Sequence, residues 1–153
     1  MDEPVGERLN LLPPLREDVM QLALVLAISL HILAATFWAG STFALARTAG
    51  NGSSQLFAPQ LLAAVFAIGT GAYLWHTLHE GSFRTTEQWL AAGACSAILA
   101  LAIQAVVVGA ALRRLRKPDK DSIRVRSRIA LAYRATAFLL AIAAVAMAAA
   151  RYA

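Results

Sequence analysis

The sequence predicts an all-α integral membrane protein, an antiparallel four-helix bundle in a single transmembrane domain, and three observations predict it. Hydrophobic residues make up 59% of the 153 and charged residues only 15%, against roughly 45–50% and about 25% in soluble domains. The charges are also confined to narrow bands: no Asp, Glu, Lys or Arg interrupts residues 19–46, 48–79, 88–112 or 135–150. A helix needs about 20 apolar residues to cross the hydrocarbon core. Three stretches are long enough outright, and the fourth is once its helix begins near Ile129. Finally, the connections are short, which makes consecutive helices antiparallel neighbours. A soluble enzyme, a nucleic-acid-binding domain, a disulfide scaffold and a disordered chain are excluded together. Cys95 is the single cysteine, so no internal disulfide and no paired-thiol metal motif arises.

The elements follow in order. Residues 1–14 read as a segment lying on the membrane surface through Leu9, Leu11 and Leu12. The start Met-Asp-Glu lacks the positive region of a signal peptide. Pro13 and Pro14 close this segment, because proline disfavours helix at the residue before it. Helix one is expected at about 16–45, long enough to tilt, followed by a turn rich in Gly, Asn and Ser over 48–54. Helix two is expected at about 57–79 with Pro59 in its first turn, and Gly81-Ser82-Phe83 breaks it. Helix three is expected at about 86–116, capped by Thr85 or Thr86 with Glu87 near its positive end. Helix four is expected at about 123–151. Lipid tails provide no hydrophobic drive for helix association, so packing should use small residues. Ala35, Ala39 and Ala46, Gly69 and Gly71, Gly93 and Ala97, and the alanines between 141 and 150 suit that purpose. Trp75, Trp89 and Tyr152 fall at helix ends as an aromatic belt, and Cys95 and Thr70 read as interior packing residues.

Charge sets the expected orientation. Residues 113–128 carry eight Lys and Arg against two aspartates, whereas residues 1–18 carry five acidic residues against Arg8 and Arg16. Short loops rich in Lys and Arg stay in the cytoplasm. The expectation is therefore a multi-pass protein of the inner (plasma) membrane with both termini outside. The Arg113–Arg128 loop would meet anionic lipids rather than nucleic acid.

Few residues can carry chemistry. His31 lies near the middle of helix one, where an ionisable side chain usually faces the bundle interior or a functional path. It is the candidate ligand for a metal or a haem. His76 and His79 share one face at the end of helix two, and Met20, Met147, Glu80 and Glu87 fall at similar depth. Imidazole and thioether suit copper, Cu(I) above all, so His31, His76, His79, Met20 and Met147 form the candidate metal set. His31 and His76 differ by about 12 Å in depth, which fits a shared haem badly. Arg134 must either snorkel to the headgroups or point inward towards Gln104.

The run His31-Ile32-Leu33-Ala34-Ala35-Thr36-Phe37-Trp38-Ala39-Gly40, with the closing stretch from Tyr133-Arg134 to Met147, resembles the copper-resistance protein D (CopD-like) domain. It is similar, less closely, to HemJ, a four-helix membrane protoporphyrinogen oxidase. The first resemblance implies a bacterial inner-membrane protein that binds, relays or confers tolerance to copper through His31. The second implies a b-type haem oxidoreductase with His31 as axial ligand. Helix three carries Gln104 and lacks the intramembrane lysine expected for HemJ. A third class is an accessory or structural subunit, a homo-oligomer or part of a larger membrane complex, which the alanine-lined fourth helix would suit.

Overall fold

The structure, a computed structural model, describes residues 12–78, 84–115 and 122–153. Helix α1 runs Leu12–Arg47, α2 Ser53–Leu78 and α4 Ser122–Ala150. Helix α3 spans Thr85–Leu115 and is α-helical except for one π turn, Gln104–Val108. All four are long and apolar enough to cross a membrane, and the described residues contain no strand. The all-α, multi-pass expectation holds.

Three boundaries differ from the sequence reading. Helix α1 takes in Pro13 and Pro14, because first-turn residues need no N–H partner and proline is tolerated there. Helix α2 starts about one turn before residue 57, at Ser53, where Gly52 O accepts hydrogen bonds from the N–H of Gln55 and Leu56. The cap of α3 falls on Arg84 instead of Thr85 or Thr86. The Arg84 N–H donates to the Glu87 carboxylate at 2.8 Å, so an acidic residue at the third position satisfies one orphan donor.

The bundle is antiparallel. His31 of α1 meets Ala67 and Thr70 of α2, and Thr42, further along α1, meets Gln60, earlier in α2. The α1–α2 loop, the end of α3 and the start of α4 share one end, here the basic end, where Gly50 meets Ile129. The start of α1, the end of α2 and the end of α4 lie at the other, the terminal end. Burial rises from 11% of the span in α1 to 44% in α4, so α4 is the central helix and α1 the peripheral one. Its buried positions Ile129, Ala132, Tyr133, Thr136, Ala137, Leu140, Ala143, Ala146 and Ala150 recur at helical spacing. The alanine-rich helix packs against its neighbours as expected.

Small residues govern the close approaches, though not all those singled out from sequence. A Cβ on Gly93 would lie 3.2 Å from the Ala143 carbonyl oxygen, so α3 and α4 touch there backbone to backbone. Gly69, by contrast, has open space around it. Cys95 is exposed on the bundle surface and is not an interior residue. In the α1–α2 loop, Ala49 and Gly50 take positive φ of 52° and 81°, and the Gly50 N–H donates to Leu45 O at 2.8 Å, closing the helix end. Gly50 has no room for a side chain, because a Cβ would sit 2.6 Å from Ile129 Cγ2. The loop is thereby pressed onto α4.

Candidate functional site

Two polar features lie inside this apolar frame. The larger is a hydrogen-bonded layer to which all four helices contribute. Trp38 and Thr42 come from α1, Gln60 from α2, Gln104 from α3 and Tyr133 from α4, and none is more than 2% exposed. An indole N–H only donates, which fixes the sense of every bond. Trp38 Nε1 donates to Gln104 Oε1 at 2.6 Å, which turns Gln104 Nε2 towards Gln60 Oε1 at 3.0 Å and Thr42 Oγ1 at 3.3 Å. Gln60 Nε2 then donates to Ser41 Oγ at 3.0 Å and Thr42 Oγ1 at 3.4 Å. The Tyr133 hydroxyl donates to Gln60 Oε1 at 3.1 Å. Both amides are satisfied, as burial in a low-dielectric interior demands.

Gln104 opens the π turn of α3. Along α3 the buried positions are Gly93, Ala97, Ala100, Gln104, Val108, Gly109 and Ala111. From Gly93 to Gln104 the steps are four, three and four, the spacing of one helix face. Gln104 and Val108, the first and last residues of the π turn, are both buried.

The second feature is His31. Its Nδ1 lies 2.8 Å from Ala67 O and 3.2 Å from Thr70 Oγ1. A carbonyl oxygen only accepts, so Nδ1 carries a ring proton and Nε2 is the nitrogen left for a ligand. Thr70 is committed to its own helix, donating to Phe66 O at 2.6 Å. Gly71 makes room for the ring: a Cβ there would lie 3.1 Å from His31 Cε1. The imidazole is half-buried, sitting at the α1–α2 seam and outside the central layer.

The other sequence candidates do not gather around it. Met20 is 61% exposed on α1. Met147 lies on α4 beside Gly93, where a Cβ would come 3.4 Å from its Cγ. His76 is exposed on α2, six residues beyond Thr70 and so about 9 Å further along the axis. His79 and Glu80 lie outside the described residues. Among the described residues no group of three or more His, Cys, Asp and Glu could hold a metal ion. Arg134 is exposed on α4, and Gln104 pairs with Trp38, Gln60 and Thr42 instead. Thr36, Ser41, Thr42, Gln104 and Arg134 are the inner-half polar residues that the sequence offers for a route across the membrane, and Gln60 is the member of the layer that this reading misses. Comparison with known families, curated proteins and solved structures finds no match for this chain.

Proposed function

We propose that the protein is a membrane-embedded metal-handling bundle that binds copper, for relay or tolerance rather than conduction, through His31 Nε2. The observation that carries this reading is the bond from His31 Nδ1–H to the Ala67 carbonyl. A ligating histidine almost always donates its other ring N–H to a carbonyl, carboxylate or water, which fixes the tautomer and aims the lone pair. The closed hydrogen-bond layer supports relay over conduction, since Gln60 and Gln104 spend their donors and acceptors on each other. With one aimed imidazole, copper would complete its coordination with groups beyond the described cluster, which suits a site that accepts and passes on a soft cation.

A b-type haem is the second reading, favoured by the same aimed lone pair, because haem iron can take a single protein imidazole. One experiment separates the two. Protein purified with added copper is expected to hold the metal, to show no Soret band, and to lose the metal in His31→Ala. A Soret band lost in His31→Ala would replace copper by haem. Protein with neither group, and copper tolerance unchanged in a deletion strain, would overturn both.

A further inference from the structure

At the basic end, a cleft of about 190 Å³ opens between α3 and α4, lined by Val106, Val107, Ala110, Arg114, Val125 and Arg128, with Ala111 at its floor. We propose that this cleft is a specific site for one anionic phospholipid, whose phosphate lies between Arg114 and Arg128 and whose acyl chain runs along Val106, Val107 and Ala110. The inference is independent of the metal reading and rests only on the membrane-spanning bundle.

Depth is the first argument. Eight residues separate Val106 from Arg114, about 12 Å along α3, so the α3 wall of the cleft runs from charged at its mouth to apolar within. An amphiphile standing upright in the leaflet meets the same gradient. Charge is the second. Arg114 and Arg128 come from different helices, both are exposed, and neither has an ion-pair partner among the described residues. Two guanidinium forks facing one space suit the several acceptor oxygens of a phosphodiester. Surface is the third. Val106 is 67% exposed and Val107 40%, an apolar wall that a lipid chain covers without any cost in polar desolvation. The space itself follows from sequence, since Ala110 and Ala111 put little bulk at the seam and no longer side chain fills it. It is also several times the ~30 Å³ share of one water molecule, so an ordered water does not account for it.

This goes beyond a basic loop attracted to a negative surface. Arg124 and Arg126 lie on the same stretch of α4 and are also exposed, yet they do not line the cleft. A diffuse field would count all four arginines equally, and a site would not. The test is native mass spectrometry of the full chain in neutral detergent, titrated with phosphatidylglycerol or phosphatidylcholine. Wild type is expected to retain one phosphatidylglycerol and to prefer it over phosphatidylcholine. The double change Arg114→Gln with Arg128→Gln should weaken retention about 30-fold, the effect of removing two interfacial arginines. Arg124→Gln with Arg126→Gln removes the same charge and should leave retention within about twofold. Ala110→Phe, which fills the apolar part while keeping every charge, should weaken it too. Equal losses in the two double variants would overturn the site in favour of a diffuse field. Displacement by millimolar inorganic phosphate would replace the lipid by a free anion. A lipid-free dimer disrupted by Ala110→Phe would give the cleft to a second copy of the chain.

Discussion

The two ends of the bundle are held by different physics. Towards the basic end, Trp38, Thr42, Gln60, Gln104 and Tyr133 lock four helices through directed hydrogen bonds, each with a fixed donor and acceptor. Towards the terminal end, α3 and α4 meet through Gly93 and alanines, while α1 touches α2 through the bond of one histidine. Hydrogen bonds specify rotation as well as distance, whereas small-residue contact specifies distance and tolerates sliding. The polar layer therefore sets the register of the bundle, and the alanine seam follows it. His31 lies on the peripheral helix, away from the layer.

The largest effect should come from breaking the layer. Gln104→Leu keeps the volume but strands the Trp38 indole N–H and removes a donor from Gln60 and Thr42. Leaving a buried polar group unpaired costs about 1–3 kcal/mol, so a loss of about 2–3 kcal/mol is expected for unfolding in mixed micelles. An average interhelical hydrogen bond in a membrane contributes only about 0.6 kcal/mol. A loss no greater than that would mean that the layer does not organise the bundle and that the two ends are alike.

A smaller effect should come from the alanine seam. Gly93→Ala places a methyl 3.2 Å from the Ala143 carbonyl oxygen, which α3 and α4 relieve by separating slightly, at about 1 kcal/mol. Gly69→Ala is the matched control: nothing lies within 4 Å of its Cβ, and alanine is the better helix former, so stability should hold or rise. If the two substitutions behave alike, the contact between α3 and α4 is looser than the backbone approach implies.

The same contrast explains what could be read in advance. Four spans were legible because charge is so costly in hydrocarbon that its absence alone marks a crossing. Depth was legible too, since residues can be counted from a helix end. Rotation about each axis was not. Gln104 was noticed and offered Arg134 as a partner at similar depth, but Arg134 faces outward and Trp38 takes its place. Gln60 is a lone amide in an apolar stretch, about as far after the α1–α2 turn as Thr42 lies before it. That matched depth was the available signal. The expected metal set, His31 at mid-depth with Met20, Met147, His76 and His79 near the terminal end, rests on depth and ligand chemistry and carries no information on rotation. Of these, Met20 and His76 lie exposed on different helices, Met147 packs beside Gly93, and His79 lies outside the described residues.

The smallest stability effect should belong to His31, and that is what sharpens the comparison. In His31→Ala one hydrogen bond is lost, yet the groups it leaves behind keep partners. Thr70 Oγ1 still donates to Phe66 O at 2.6 Å and reaches Ala67 O at 3.1 Å. No buried group is stranded, so the cost should be near the membrane average of about 0.6 kcal/mol, well below that of Gln104→Leu. Binding should behave oppositely: Gln104→Leu in a folded, lipid-stabilised sample keeps the aimed imidazole and its bound copper or haem, and His31→Ala loses the group entirely. Unfolding in mixed micelles and metal or Soret content, measured on the same two variants, give a crossed pattern if folding and chemistry are separated along the bundle. If His31→Ala costs as much stability as Gln104→Leu, the histidine is a fastener between α1 and α2, and the metal-handling reading loses the residue it depends on.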